Sequence, residues 1–212
     1  MDSTDNFALY FEGGVEQGRW CFFHDINNQS GLCGNYVPDA YEYLKTFSPY
    51  KVPLRKNRRN ALPILECIQK ELEADMGSPG VGDGPAVRRF SSGDTEKLIG
   101  LIENELENLT EKEGFSYGDI VILSHLSFSQ SLLSRLAPQW LKSVSVLDDS
   151  SPLNATRQSI GFAQISDFKG LESQVVILVD LPPPGSTTEC RNLHYVGMSR
   201  ARAVLSLISV EV

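Results

Sequence analysis

The alternation of short apolar runs with helix-patterned segments constrains the fold of this 212-residue chain more than any other feature. Several runs place β-branched residues on consecutive positions, which is typical of strands covered on both faces of a parallel sheet. Strands are predicted at residues 19–24, 50–54, 86–91, 119–124, 143–147, 161–165, 175–181 and 204–210. Strands that alternate with helices through short connections predict an α/β fold built around a mostly parallel sheet.

Two segments carry apolar residues at the spacing of one helix face, and each predicts an amphipathic helix. The stripe within residues 94–113 consists of Leu98, Ile102, Leu106 and Leu109. The stripe after residue 60 consists of Leu62, Leu65, Ile68 and Leu72. Asn60 is predicted to cap this second helix. Pro63 falls in its first turn, where a missing N–H group costs little.

The chain is acidic, with 19 Lys and Arg against 27 Asp and Glu and a formal net charge of −8. This total disfavours a protein that binds nucleic acid through an overall basic surface. Residues 94–113 carry seven acids and two bases, and residues 66–75 carry four acids and one base, so their charges of −5 and −3 account for the whole −8. Both runs are expected to be solvated helix faces.

The sequence predicts a cytoplasmic protein without a membrane span or a metal site. Its longest apolar run, at residues 175–181, is far shorter than the ~20 residues that a membrane-spanning helix needs. The acidic, polar N-terminus does not resemble a secretory signal. The cysteines are scattered without a CxxC pair, which favours reduced and mostly buried thiols over zinc ligands. They are Cys21, Cys33, Cys67 and Cys190.

The segment 77–85 (GSPGVGDGP) carries four Gly and two Pro. This composition predicts a flexible surface connection. A phosphate-binding loop is a poorer interpretation, because no Lys-Ser or Lys-Thr pair follows and no helix opens directly from it.

Three segments carry residues that point to chemistry, and the first is 165–172 (ISDFKGLE), a polar turn between two predicted strands. Gly170 permits a close backbone approach or a backbone angle closed to other residues. Glu172 is a candidate acceptor for a sugar hydroxyl, and Lys169 is a candidate cation near phosphate. A loop with an exposed ion pair is an equally good interpretation of this segment alone.

The second segment, 195–202 (YVGMSRAR), places Arg200 and Arg202 two residues apart on a predicted helix before the last strand. Positions two apart on a helix do not share a face. One arginine is therefore expected to serve a site and the other to be structural, with a solvated pair as the alternative.

The third segment concentrates cations between a predicted strand and a helix start. Charge and the helix dipole would together hold an anion there. A solvated basic loop is the alternative. The cations are Lys51, Arg55, Lys56, Arg58 and Arg59.

In this order, the segments resemble motifs of the UvrD/Rep-like superfamily 1 DNA helicases. Residues 54–60 (LRKNRRN) resemble the family's Asn-Tyr-Arg-Ser motif, 165–172 its Lys-Gly-Leu-Glu motif and 195–202 its Tyr-Val-Gly-x-Thr-Arg-Ala motif. Residues 119–123 (DIVIL) resemble its Asp-Ile-Ala-Val-Leu strand, and 20–29 (WCFFHDINNQ) its strand that ends in an Asp and a phosphate-sensing Gln. Five matches in the family's order, over nearly the whole chain, make a chance resemblance implausible.

The resemblance implies part of a two-domain motor. Family members bind ATP between two RecA-like domains, and the first carries the P-loop and the Asp-Glu pair that handles magnesium. Neither motif precedes residue 20 here. We therefore expect residues 1–47 to be the tail of the first domain. Residues 48–212 would be the second, a RecA-like P-loop NTPase-type three-layer sandwich that lacks the P-loop. The family's large helical insertion is absent, because only the polar residues 148–159 follow the strand predicted at 143–147.

The resemblance also implies roles for individual residues. Gln29 would contact the γ-phosphate or position the attacking water, and Arg59 and Arg200 would act as arginine fingers. Glu172 would bind the ribose hydroxyl, and Gly170 would let the backbone approach the nucleotide. ATP with Mg²⁺ is the implied cofactor, with the metal held by the missing N-terminal domain. That N-terminal RecA-like domain and single-stranded DNA are the implied partners.

Departures from the family's pattern affect the base and DNA contacts most. Arg58 stands where the family has a tyrosine that stacks on adenine, and a guanidinium group can also stack on a base. Lys169 stays a candidate cation near phosphate. Gln164 and Ser166 stand where the family often has a Thr and a His that face DNA. The family's DNA-stacking aromatic residues are missing at 30–32.

We therefore expect the second motor domain of an ATP-dependent DNA helicase or translocase, inactive on its own. The alternative is a degenerate, non-catalytic RecA-like module that binds other proteins. Binding of a partner regardless of nucleotide would separate this alternative from the motor. A stand-alone nucleotide-binding enzyme is a poor third interpretation, because no group in the sequence is placed to hold magnesium and the β-phosphate.

Overall fold

A computed structural model describes residues 38–47, 50, 52–147, 158–182, 184 and 187–211. The helices are α1 (Pro38–Thr46), α2 (Leu62–Leu72), α3 (Thr95–Glu107), α4 (Pro138–Leu141) and α5 (Thr188–Met198). The strands are β1 (Lys56–Asn57), β2 (Ser78–Pro79), β3 (Arg88–Ser92), β4 (Ile120–Ser124), β5 (Val144–Val146), β6 (Ile160–Gln164), β7 (Ser173–Leu178) and β8 (Ala201–Val210). A π-helical turn, Asn108–Lys112, continues α3, and short 3-10 helices occupy Tyr117–Asp119 and Leu132–Arg135.

Six parallel strands form the central sheet in the order β3-β8-β7-β4-β6-β5. Successive side chains of a strand point to opposite faces of its sheet. In β4, Ile120 and Ile122 accordingly belong to one buried apolar cluster, and Val121 and Leu123 belong to the other. The predicted α/β fold with a parallel sheet covered on both faces is confirmed.

Helices cover both faces and complete a three-layer sandwich. On one face, α2 contributes Ile64 and Ile68 and α5 contributes Tyr195 to the first apolar cluster. On the other face, Leu98 and Ile102 of α3 pack in the second cluster. Both amphipathic helices predicted from the apolar stripes are confirmed, although the helix predicted over 94–113 is α-helical only as far as Glu107.

Six of the predicted strands correspond to β3 to β8, with bounds shifted by a few residues. The strand predicted at 50–54 is wrong. Residues 52–54 have no regular structure, and Val52 and Leu54 are 67% and 80% exposed, so no other element covers them. Pro53 also lacks the N–H group that a central strand needs. The strand predicted at 19–24 lies outside the described residues.

Asn60 does not cap α2, as the sequence predicted, because the N-cap residue is Ala61 and no side chain caps this helix. The Asn60 side chain is buried and docks on the start of β8. Its Nδ2 atom donates to the carbonyl oxygens of Ser199 at 3.1 Å and Ala201 at 2.7 Å. Pro63 does lie in the first turn of α2, as expected. The buried amide thus ties the turn before α2 to the turn before β8.

The Gly- and Pro-rich segment 77–85 packs on the residues around β1. Its strand β2 pairs with β1, and the carbonyl oxygen of Gly82 accepts a hydrogen bond from the Leu62 N–H group at 3.1 Å. Gly77 has a φ of +73°, and a Cβ atom there would lie 2.3 Å from the carbonyl oxygen of Arg55. Only glycine fits that position. The surface connection predicted here is therefore held against the chain that precedes α2.

Glu105 contradicts the expectation that residues 94–113 form a fully solvated acidic face, because it is 4% exposed. Its Oε1 atom accepts hydrogen bonds from Arg88 Nη1 at 2.8 Å and from Ser206 Oγ at 2.6 Å. The Nη2 atom of Arg88 also donates to Glu113 at 2.6 Å. A buried carboxylate needs such partners because desolvating an unpaired charge is costly.

The connection between β6 and β7, residues 165–172, crosses one face of the sheet without a helix. Because β4 lies between these two parallel strands, the eight residues run from the carboxyl edge of the sheet back to its amino edge. They form a series of turns. Ile165 and Phe168 bury their side chains in the same apolar cluster as α2 and α5, which anchors this crossover.

Within the described ranges, no helix is long and apolar enough to cross a membrane. Cys67 and Cys190 are free thiols, the first half-buried and the second buried. Cys21 and Cys33 lie outside the described residues.

Replacing Asn60 by Ala should lower the free energy of unfolding by about 2 kcal/mol, because two buried carbonyl oxygens lose their donor. Asn60→Asp should cost more, because a carboxylate would face those oxygens. Urea denaturation measures both effects. The exposed Asn104 provides the control, and Asn104→Ala should change stability by no more than about 0.5 kcal/mol. Equal stability of the Asn60 and Asn104 variants would contradict the docking role.

Replacing Arg88 by Met should lower the free energy of unfolding by about 3 kcal/mol, because Glu105 would keep a buried charge without its cation. The matched control is Arg135→Met. Arg135 pairs with Glu96 at the surface, where its side chain is 52% exposed against 21% for Arg88. That exposed pair should contribute less than about 1 kcal/mol. A loss of similar size in both variants would show that the Arg88 pair is not a buried anchor.

Candidate functional site

Three segments that the sequence singled out meet at the amino edge of the central sheet. Glu172 immediately precedes β7, and Arg200 immediately precedes β8. The turn before α2, which carries Arg59, docks on the start of β8 through Asn60. The fold therefore brings together residues that are more than 100 positions apart in the sequence.

The centre of this site is one carboxylate between two guanidinium groups. Arg59 Nε donates to Glu172 Oε2 at 2.9 Å. Arg202 Nε lies 3.6 Å from Glu172 Oε1, the other oxygen of the same carboxylate. The three side chains are 39% (Arg59), 43% (Glu172) and 48% (Arg202) exposed, so all of them reach solvent. The site therefore presents a net positive charge to its surroundings.

The turn that carries Arg59 is held by a short network of backbone and amide groups. Asn57 Oδ1 accepts hydrogen bonds from the backbone N–H groups of Arg59 at 2.9 Å and Asn60 at 3.0 Å. Asn57 Nδ2 donates to Asn60 Oδ1 at 3.0 Å. Asparagine side chains often mimic a backbone turn in this way. The backbone of Arg59 is therefore fixed although its side chain is exposed.

The turn before Glu172 is fixed from the inside. Phe168 is 4% exposed and anchors the turn in the apolar core. Gly170 has a φ of +91°, a backbone conformation that favours glycine. The backbone N–H group of Ser173 donates to the carbonyl oxygen of Arg200 at 3.0 Å, which joins this turn to the one before β8. Lys169 lies half-buried in the same turn.

Arg200 is 4% exposed and binds oxygen atoms of its own domain. Its Nε atom donates to the carbonyl oxygen of Val196 at 3.1 Å, and its Nη2 atom donates to Ser199 Oγ at 3.1 Å. Its Nη1 atom lies 3.4 Å from the carbonyl oxygen of Leu171, next to Glu172. A cation at the C-terminal end of a helix such as α5 is also favoured by the helix dipole. Arg200 thus links the end of α5 to the turn that carries Glu172.

The predicted DNA contacts lie at the opposite edge of the sheet. Gln164 is the last residue of β6, and its Nε2 atom donates to the carbonyl oxygen of His125 at 3.3 Å. Ser166 follows β6, and its Oγ atom donates to Asp167 at 2.9 Å. The structure therefore does not bring Gln164 and Ser166 together with Arg59 and Glu172.

Other predicted residues are exposed or undescribed. Arg58 is exposed beside Arg59, and Arg55 and Lys56 are exposed at β1. Gln29 and Lys51 lie outside the described residues.

The residues at the amino edge fit parts of a bound nucleotide but not its metal. Guanidinium groups bind phosphate oxygens, and a carboxylate accepts hydrogen bonds from sugar hydroxyls. Within the part of the chain that the structure describes, no three His, Cys, Asp or Glu side chains are grouped so that they could hold a metal ion. The assignment of Mg²⁺ to another domain stays a prediction.

A second polar cluster, between β3, α2 and α5, is structural. Cys67 Sγ accepts a hydrogen bond from Arg89 Nη2 at 3.0 Å. Burial and the neighbouring Glu71 carboxylate raise the pKa of the Cys67 thiol to about 11, which favours the protonated thiol at neutral pH. Burial also lowers the pKa of His194, whose Nε2 atom lies 2.8 Å from the carbonyl oxygen of Pro182.

A third polar cluster closes the carboxyl edge of the sheet. Asp180 has a φ of +63°. Its Oδ2 atom accepts hydrogen bonds from Ser124 Oγ and Ser131 Oγ, both at 2.6 Å. Its Oδ1 atom accepts from the backbone N–H group of Leu132 at 3.2 Å. The Asp180 carboxylate thus connects the chain after β7 to the end of β4 and the chain that follows it.

Sequence reasoning missed the supporting amides and did not choose Arg202. Asn57 and Asn60 frame the two arginines of the Asn-Arg-Arg-Asn sequence, and an asparagine before a turn is a signal for this kind of support. The pair Arg200 and Arg202 carried no local signal that would show which of them is buried. Arg202 is the second residue of strand β8, whereas the sequence predicted a helix over both arginines.

No family model matches the sequence, and no curated protein does. Solved structures do resemble the fold. One is the C-terminal domain of a possible DNA helicase from Lactobacillus plantarum WCFS1, with 16% identity, a TM-score of 0.53 and coverage of 72% of this chain and 88% of that chain. Another is the yeast DEAD-box splicing factor Prp28, with 16% identity and a TM-score of 0.37 over 72% of this chain and 36% of that chain. The fold comparison rests on the first, and with the six-stranded parallel sheet it shows that this chain has a RecA-like α/β fold.

Proposed function

We propose that this chain supplies the second motor domain of an ATP-dependent helicase or translocase of the UvrD/Rep-like kind. One observation carries the proposal. The family resemblance assigns Arg59 to the γ-phosphate and Glu172 to the ribose of one bound nucleotide. In the structure, Arg59 Nε lies 2.9 Å from Glu172 Oε2, although 113 positions separate the two residues in sequence. Two residues assigned to the same nucleotide would not be expected to meet by chance at one edge of a sheet.

The exposed groups suit the chemistry of phosphoryl transfer. Arg59 would stabilise the negative charge that develops on the transferring phosphoryl group, as arginine fingers do. Glu172 would accept a hydrogen bond from a ribose hydroxyl. ATP with Mg²⁺ would supply the phosphoanhydride bond, and the metal would be held by a first RecA-like domain. Gly170 and Lys169 would lie beside the nucleotide on the turn that carries Glu172.

A second domain would be needed for hydrolysis, because a P-loop is missing from the sequence. Closure of two domains around ATP, and their release after hydrolysis, would move the chain along single-stranded DNA. Gln164 and Ser166 stay candidates for DNA contact at the carboxyl edge. Arg58 stays a candidate for adenine stacking, and Gln29 a candidate for sensing the γ-phosphate. The boundary at residues 47–48 and the cytoplasmic location also stay predictions.

The finger role that the resemblance gives to Arg200 stays a prediction as well. Its buried guanidinium group, held by the carbonyl oxygens of Val196 and Leu171, favours the second candidate function, a RecA-like module that binds proteins without catalysis. Such a module would capture the same partner with and without an ATP analogue. A pull-down under both conditions separates the candidates, because a motor domain should respond to nucleotide.

The test joins this chain to a first RecA-like domain that carries a P-loop, taken from a UvrD/Rep-like helicase. Neither part alone should hydrolyse ATP at an appreciable rate, and the joined protein should show hydrolysis stimulated by single-stranded DNA. Arg59→Ala in the joined protein should lower kcat on the order of 10³-fold, because the finger is lost. A phosphate-release assay measures the rate.

Arg135→Ala is the matched control, because Arg135 is also exposed and ion-paired but lies in the 3-10 helix Leu132–Arg135 and pairs with Glu96 instead of Glu172. It should leave kcat unchanged. Two results would argue against the motor: an Arg59→Ala variant as active as the parent, or a joined protein that binds ATP yet never hydrolyses it.

A further inference from the structure

The two arginines before and at the start of β8 lie in opposite environments. Arg200 is 4% exposed, and all three nitrogen atoms of its guanidinium group contact oxygen atoms of the same domain. Arg202 has a side chain that is 48% exposed, and its ion pair with Glu172 is 3.6 Å long. Moving Arg200 to a ligand would break the three hydrogen bonds that hold its buried guanidinium group, whereas Arg202 would give up only a weak, solvated contact.

Arg59 and Arg202 both form ion pairs with the carboxylate of Glu172. Each uses its Nε atom on a different oxygen of the carboxylate. Among the described residues, no hydrogen bond uses the terminal Nη atoms of either guanidinium group, so these atoms can bind other oxygen atoms. The Glu172 carboxylate thus lies between the two guanidinium groups, where an anionic oxygen of a ligand could otherwise bind.

The backbone under the pair is already ordered. The backbone N–H group of Ala61 donates to the carbonyl oxygen of Arg202 at 2.9 Å. Asn60 binds the carbonyl oxygen of Ala201 at 2.7 Å. The turn that carries Arg59 and the start of β8 therefore form one unit. A ligand that binds both arginines would need to order only their side chains.

We infer that Arg202, and not Arg200, is the second phosphate-binding arginine of this site. Glu172 then serves as an internal counter-ion that a polyphosphate displaces from both guanidinium groups. Arg200 is a positioning residue, which holds the turn before Glu172 against the end of α5. This inference rests on the proposed function, because it names the second cation of the same nucleotide site.

The test titrates the chain itself with inorganic tripolyphosphate, at low ionic strength and without metal, and follows binding by NMR. The probe carries the charge of the nucleotide tail but no ribose. Arg59→Ala and Arg202→Ala should each weaken binding at least about fivefold, which is the effect of one charge near a solvated anion. The control Arg135→Ala should bind as the parent does.

Glu172→Gln gives the opposite result if the carboxylate competes with the ligand. It should tighten tripolyphosphate binding about fivefold, since the counter-ion no longer holds the arginines. Glu96→Gln is the matched control. It removes one negative charge from the exposed pair with Arg135 and should not change binding.

The parent chain also reports on Arg200 without a mutation. The side-chain Nε–H resonances of Arg59 and Arg202 should shift on addition of tripolyphosphate, and the resonance of Arg200 should stay in place. Arg200→Lys keeps the charge and should bind the probe within about twofold of the parent, although its stability falls because fewer carbonyl oxygens are bound.

Several results would overturn the inference. It fails if Arg202→Ala binds like Arg135→Ala, if the Arg200 resonance shifts with the probe, or if neither the parent nor Glu172→Gln binds. Weakening by Arg59→Ala alone would remove Arg202 from the site but keep the proposed finger. The proposed function has its own test in the joined protein, where loss of hydrolysis in Arg59→Ala would sustain it even if Arg202 has no role.

Discussion

The amino edge of this domain depends on one buried amide. Asn60 sits between the turn that carries Arg59 and the turns that surround Arg200, and it binds the carbonyl oxygens of Ser199 and Ala201. Without this contact, the described hydrogen bonds from the arginine-bearing turn to β8 would be reduced to the one from the Ala61 N–H group to the Arg202 carbonyl oxygen. A neutral amide is suited to the position, because it donates to two carbonyl oxygens and accepts from Asn57 without burying a charge.

Burial decides what identical charged groups do in this fold. Glu105 and Glu172 are both carboxylates paired with arginine, but Glu105 is 4% exposed and the side chain of Glu172 is 43% exposed. The first holds β3, α3 and β8 together, and the second is accessible to a ligand. Arg200 and Arg202 divide in the same way. An exposed ion pair contributes little to stability, so the Arg59–Glu172–Arg202 group, like the Arg135–Glu96 pair, is not what holds the fold together.

The parallel sheet and its covering helices were predictable because their signals are local. Consecutive β-branched residues mark β4 and β7, and a helical stripe marks α3. The meeting of Arg59 and Glu172 was foreseeable only through family resemblance, because nothing within either segment encodes a partner 113 residues away.

The missed features depend on tertiary contacts. The carbonyl partners of Asn60 lie 139 and 141 residues along the chain, so its residue type alone suggested a helix cap. In the sequence, nothing distinguishes Glu105 from the other acids of its helix, because its partners Ser206 and Arg88 reach it only in the folded chain. The strand predicted at 50–54 rested on apolar residues, but an apolar pattern alone does not show whether other elements will cover them. In the structure, Val52 and Leu54 stay exposed.

The crossover between β6 and β7 joins the two edges of the sheet through only eight residues. An extended chain spans at most about 3.5 Å per residue, so a link of eight residues can reach at most about 28 Å. It begins beside Gln164 at one edge and ends at Glu172 at the other. Phe168, near the middle of the segment, packs in the apolar core. The two regions are therefore joined by a short covalent path with an internal anchor and no intervening helix.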